Sequence, residues 1–178
     1  MLFATHLLAA VGIGWFTGHS RVRRRFAGVA MPTLSTAPPL SVRWLVAGAA
    51  IPDVVDKPLG VLGLFDVYQS IGHSALLAPL AVALAARHRR GLAVAVGWGS
   101  HLALDALHVV VNGRAGDALF LAWPVLPRSD PLAIPPGEFA LYYIGTSAFF
   151  LEAALWLSAV LLLLRSRVAA GADRKNGQ

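Results

Sequence analysis

"GWGSHLALDALHVVVNGR", residues 97–114, sets two histidines and an aspartate inside one of the most apolar runs of a 178-residue chain. His101, Asp105 and His108 stand at i, i+4 and i+7. At about 3.6 residues per turn these positions project within about 60° of one another, so a helix here carries imidazole, carboxylate and imidazole on one face over about 10 Å. Ionisable groups turned toward lipid each cost several kcal/mol, so that face points inward, to a metal ion or to a buried polar network that ties helices together.

The rest of the chain keeps this character. It is 57% hydrophobic with only 13% charged residues, and its mean hydropathy is +0.65, the composition of a membrane protein and not of a soluble domain. A span needs about 20 apolar residues to cross a hydrocarbon core of about 30 Å. Apolar runs predict a first helix at about 2–17, a second at about 42–51 that stops at "IPDVVDKP", a third at about 71–86, a fourth at about 91–111 and a fifth at about 139–164. The expected fold is therefore an all-α integral membrane protein with about five transmembrane helices in a single bundle, the second helix short or broken. Residues 59–66, "LGVLGLF" and Asp66, either extend the second helix past a break or form an interfacial segment. Residues 120–137 carry Pro124, Pro127, Pro131, Pro135 and Pro136; these remove amide donors and forbid a regular span, which predicts a proline-rich outer loop. Residues 1–167 form one helical membrane domain in this reading, and 168–178, "VAAGADRKNGQ" from its first residue, a disordered cytoplasmic tail.

The chain has no cysteine, so disulfides and thiolate ligands are excluded and any metal binds through nitrogen and oxygen. The net charge is +6, yet the basic residues fall in clusters beside apolar runs without interleaved aromatics, which argues against a nucleic-acid partner. They report topology instead. Arg21, Arg23, Arg24, Arg25 and Arg43 follow the first helix, Arg87, Arg89 and Arg90 the third, and Arg165, Arg167, Arg174 and Lys175 the fifth. With five spans these twelve share one side and only Lys57, Arg114 and Arg128 take the other, so the C-terminus is expected in the cytoplasm and the N-terminus outside an inner cell membrane. "MLFATHLLAAVGIGWF" lacks a leading positive region and runs into "RVRRR", not a small-residue cleavage site, so it reads as a retained first span.

That topology sorts the six histidines. His19 and His88 fall in basic loops, whereas His6, His73, His101 and His108 fall at the outer level of the first, third and fourth helices, with Asp53 and Asp56 at the outer end of the second and Asp105 in the fourth. Imidazole with carboxylate suits Zn, Mn or Fe(II) better than Ca or Mg. Against ligation, His73 can cap a helix, His6 can sit in the interface, Asp53 after Pro52 can form a turn, and Asp56 beside Lys57 can be a solvated pair or support a ligand. Glu152, mid-helix in "FFLEAALW", is either functional or hydrogen-bonded to a neighbouring helix. Ser74 and Ser100 adjoin histidines in sequence, but adjacent helical residues point about 100° apart, which disfavours a serine nucleophile. Trp123, Tyr142 and Tyr143 read as interface anchors.

"THLLAA" with His6, "GAAIPDVVD" with Asp53, "GHSAL" with His73 and "GSHLALDALH" with His101 and Asp105 occur in that order within the first 110 residues. Together they resemble the YdjM-like membrane-bound metal-dependent hydrolases. The resemblance implies a short helical membrane protein with metal ligands at His6, Asp53, His73, His101 and Asp105. Two positions depart from that family's pattern: Val55 stands where a second carboxylate follows the Pro-Asp, with Asp56 next to it, and Tyr68 stands where a histidine precedes the His-Ser pair. The order Pro-Asp, His, His-x-x-x-Asp is also remotely similar to zinc-dependent phospholipase C, which implies phosphoester cleavage.

The expected function is metal-dependent hydrolysis of a phosphoester or lipid substrate at the outer membrane face, through water activated by a divalent transition metal, zinc foremost. Asp105 and His108 are the expected catalytic groups, Asp105 doubling as a ligand, and Arg114 is placed to steer an anionic headgroup. A divalent-cation or proton-coupled transporter and a non-catalytic membrane scaffold are the alternatives. A carrier needs polar groups toward both faces, and "APLAVALAA" and "GLAVAVGW" offer none on the cytoplasmic side.

Overall fold

The structure, a computed structural model, describes residues 2–18, 38–126 and 134–176. Among them all regular structure is helical: α1 (Phe3–Gly18), α2 (Val42–Val61), a 3-10 turn at Ala75–Leu77, α3 (Ala78–Arg87), α4 (Arg89–Val111), a 3-10 segment at Ala115–Ala122, α5 (Pro136–Tyr143) and α6 (Ser147–Asn176). His19, the basic residues Arg21, Arg23, Arg24 and Arg25, and Pro127, Arg128 and Pro131 of the proline-rich loop lie outside the described residues.

Small residues set the centre of the bundle. Ala10 of α1, Leu45 and Ala49 of α2 and Ala93 of α4 form one fully buried cluster. At Gly48 an added Cβ would lie 2.1 Å from the Val94 carbonyl oxygen, and at Gly97 one would lie 2.1 Å from the Leu45 carbonyl oxygen. The α2 and α4 backbones therefore touch at a separation that only glycine permits, the small-residue mode of packing common between membrane helices. This contact sets the register of α4 against α2 for the residues one turn further on.

The predicted boundaries shift in three places. The second helix does not stop at "IPDVVDKP" but runs through Pro52 and Pro58 to Val61; each proline removes one amide donor from its hydrogen-bond ladder without ending it, and Asp53 and Asp56 in that stretch meet the following loop. The third helix begins later than predicted, since residues 70–73 wrap around Asp56 and Ser74 caps the 3-10 turn through Leu76 N–H at 3.2 Å. The fifth is broken into α5 and α6 at Gly145, whose φ of 87° is a left-handed conformation that favours glycine. Past that break α6 continues to Asn176, through residues where composition predicts a disordered tail.

Among the described residues two helices, not five, are long and apolar enough to cross a membrane: Arg89–Val111 and Ser147–Arg165. At 16 residues α1 reaches about 24 Å, short of a hydrocarbon core of about 30 Å. Ala75–Arg87 is shorter still, and α2 carries Asp53, Asp56 and Lys57 in its second half. Only 33% of the α4 window and 12% of the α6 window is buried inside the structure. A soluble protein's core helix would be mostly covered; here Phe150, Leu157, Leu163 and Leu164 face outward.

Candidate metal centre

The contact between Gly97 and Leu45 places His101, one turn along α4, beside the Ala49 carbonyl of α2. Pro52 interrupts the ladder of that turn, and the His101 Nδ1–H donates to Ala49 O at 2.7 Å. The loop after α2 builds the second imidazole. Asp56, fully buried, accepts from the amides of Ser70 at 2.7 Å, Gly72 at 2.9 Å and His73 at 3.1 Å. It also accepts from the His73 Nδ1–H at 2.7 Å. Trp98 of α4 ties the same loop down, its indole N–H donating to Gly72 O at 2.9 Å.

With both Nδ1 hydrogens committed, His73 and His101 turn Nε2 toward each other at 3.1 Å. Either one ring carries an extra proton or a cation lies between two lone pairs. Asp105 Oδ2 is the third corner, 3.4 Å from His73 Nε2 and 3.5 Å from His101 Nε2. An ion bonded at about 2.05 Å gives ligand-to-ligand edges of about 3.3 Å if tetrahedral and about 3.0 Å if octahedral. The observed edges of 3.1, 3.4 and 3.5 Å fit one face of a tetrahedron. Each imidazole is held by a carboxylate or carbonyl on its far nitrogen, the arrangement that fixes tautomer and orientation in metal-ligating histidines.

His6 and Asp53 complete the cluster. His6 of α1 stacks on His101 with ring centroids 3.7 Å apart. Its Nε2–H donates toward Asp105 Oδ1 at 3.1 Å, and its buried Nδ1 has no hydrogen-bond partner among the described residues. Asp53 Oδ1 lies 3.7 Å from His73 Nε2. Two groups of three can hold a metal ion, His73 with His101 and Asp105, and His6 with Asp53 and His101, the ligand atoms of each lying within 4.8 Å of one another. His101 is common to both. Phe120 of the 3-10 segment covers the far side, its ring 6.1 Å from that of His73.

The other sequence candidates lie outside these groups. Asp56 is not a solvated pair but fully buried, accepting from three amides and the His73 ring, and it is not in either group of three; Lys57 pairs with Asp53 at 3.5 Å instead. His108 lies one turn beyond Asp105, its ring stacked on Tyr143 at 5.2 Å and near Phe139 at 5.9 Å. Arg114 is paired with Asp117 at 3.0 Å. Glu152 anchors a separate network: it accepts from the Tyr143 hydroxyl at 2.5 Å, from the Thr5 hydroxyl, and from the Leu2 amide at 3.2 Å. Trp156 adds its indole N–H to Thr5 Oγ1 at 2.9 Å. Burial, and then the Glu152 carboxylate, push the Tyr143 phenol above its ordinary range. Tyr143 is thus a buried internal donor and not an interface anchor, whereas Tyr142 is 48% exposed.

Ser74 donates to Trp123 O at 2.5 Å and Ser100 to Gly97 O at 2.7 Å, so both hydroxyls are engaged with backbone. Sequence reasoning missed Gln69, whose amide N–H donates to Asp105 Oδ2 at 3.1 Å. It sits in a loop with no periodicity, and nothing local marks it.

Fold and site together define an all-helical protein with a buried His/Asp cluster able to hold a metal ion. No family model, curated protein or solved structure matches the chain.

Proposed function

We propose that the chain is a membrane-embedded metal-dependent hydrolase acting on a phosphoester or lipid-type substrate. The observation that carries this reading is the triangle of His73 Nε2, His101 Nε2 and Asp105 Oδ2, with both far ring nitrogens tied off. The edge lengths support zinc, the foremost choice from the sequence, while the set of two imidazoles and one carboxylate suits iron(II) or manganese as well. Held by His73, His101 and Asp105, a divalent ion would supply Lewis acidity toward a phosphoryl or acyl oxygen and would lower the pKa of water toward about 7. The residues do the rest: Asp56 and the Ala49 carbonyl aim the two imidazoles, Gln69 fixes the Asp105 carboxylate, and Phe120 excludes water from behind His73. No serine is needed as nucleophile.

The outward apolar faces of α4 and α6 support a bilayer setting, and the charge asymmetry supports a cytoplasmic C-terminus with the centre toward the outer face. In that setting α1, α2 and the Ala75–Arg87 segment are shorter membrane-embedded helices that complete the five-helix bundle read from the sequence. The resemblance to YdjM-like hydrolases supports the same ligand set.

The test is metal analysis of detergent-purified protein followed by a screen of phosphodiesters, phosphomonoesters and phospholipids with and without chelator. Stoichiometric zinc with chelator-sensitive turnover is expected. A well-folded protein that takes up no metal ends this reading in favour of a scaffold, and ion flux in proteoliposomes without turnover ends it in favour of a carrier.

A further inference from the structure

The imidazoles of the cluster are buried, and its most exposed member is Asp53. His6, His73 and His101 are 1%, 0% and 0% exposed, while the Asp53 side chain is 14% exposed and Lys57, one turn along α2, 35%. Lys57 Nζ lies 3.5 Å from Asp53 Oδ1 and donates to Tyr68 O at 3.5 Å. Both contacts are long, and an ammonium has three donors, so Lys57 keeps capacity for a ligand at this more exposed edge. Arg114 lies after α4, paired with Asp117 at 3.0 Å, and has no contact with Asp53 of the kind that Lys57 makes.

Charge points the same way. The centre gathers three carboxylates, Asp53, Asp56 and Asp105, against one ammonium, Lys57. With neutral imidazoles and a divalent ion the set is neutral, and without Lys57 it is net negative and repels an anion. Asp53 Oδ1 is also the atom that Lys57 shares with the cluster, 3.5 Å from Nζ and 3.7 Å from His73 Nε2. An ion that drew on that oxygen would weaken its hold on the ammonium and leave Lys57 free to take another acceptor.

We infer that Lys57 is the anion-recognition residue of the centre, taking a phosphoryl oxygen beside the metal, so that metal and phosphoryl binding strengthen each other. This rests on the metal-dependent reading above. Linkage is reciprocal: whatever factor the anion adds to metal affinity, the metal adds to anion affinity.

The experiment measures zinc affinity of the full chain in detergent by competition with a chromophoric chelator. It is run alone, with inorganic phosphate, and with a short-chain phosphatidic acid as monomer. Wild-type protein is expected to bind zinc about tenfold more tightly with a phosphoryl ligand. Lys57→Met should bind zinc but lose that gain, and Lys57→Arg should keep it. A gain with phosphate supports recognition of a free phosphoryl group, and a gain with the phospholipid alone supports the same residue reading a lipid headgroup. If zinc binds and neither ligand tightens it, or if Lys57→Met retains the full gain, the Lys57 inference is overturned while the metal centre stands. If wild-type protein binds no zinc, both fall together.

Discussion

His73 and His101 come from a loop and a helix 28 residues apart, yet their Nε2 atoms face each other at 3.1 Å while their Nδ1 hydrogens are held by Asp56 and Ala49. Two rings oriented from behind and opposed in front form a preorganised pair of ligands, and the pair shows which substitutions separate chemistry from folding.

His101 belongs to both three-residue groups. His101→Ala should therefore abolish stoichiometric zinc, with affinity at least about 100-fold weaker, the upper range for mere supporting partners. His6→Ala removes a residue of one group only and should retain measurable zinc. Elemental analysis and chelator competition check both; equal losses in the two variants would speak against His101 as the shared ligand.

Asp56→Asn keeps the size of the side chain but not its charge. The amide has one acceptor oxygen for four incoming donors, so His73 loses its fixed orientation. Zinc affinity should fall about 10- to 100-fold while stoichiometry recovers at high zinc. An unchanged affinity would mean that the His73 ring is held by something other than this carboxylate.

Gly97→Ala inserts a Cβ 2.1 Å from Leu45 O, whereas Gly99→Ala meets nothing within 4 Å. The first should force α2 and α4 apart, costing about 1–3 kcal/mol and loosening the His101–Ala49 bond. The second should be neutral or stabilising by up to about 1 kcal/mol. Unfolding in detergent and zinc titration measure the two effects, and matching behaviour of the variants would refute the close approach.

Glu152→Ala leaves the buried Tyr143 and Thr5 hydroxyls and the Leu2 amide without their acceptor. A loss of at least about 2 kcal/mol is expected, with Glu152→Gln intermediate. Because Glu152 touches none of the five clustered residues, folded variant protein should still load zinc, and folded protein that cannot would tie the two networks together.

What the sequence made legible was what a helical period carries. His101 and Asp105 share a face because they are four apart, and imidazoles and carboxylates set in apolar runs had to find interior partners, which is why residues as distant as His6 and His73 meet them. The boundaries were harder to read, because Pro52 and Pro58 look like stops in the sequence although α2 runs through both. Gln69 and the Ala49 carbonyl carry no pattern at all, and Asp56 is indistinguishable from a surface charge until residues 70–73 close over it. The length of the spans was overread because apolar composition alone does not separate a 16-residue helix from one that crosses a bilayer.

The Glu152 network also orders the assembly of the molecule in time. His6 is made among the first residues, but the carboxylate that receives its neighbour Thr5 is made 147 residues later. During synthesis the amino-terminal helix has its apolar neighbours and the His6 contacts to α4 to hold it, but the Thr5 hydroxyl gains its carboxylate acceptor only when the carboxy-terminal helix emerges. The latch beside the earliest residue of the centre is thus among the last contacts that the growing chain can make.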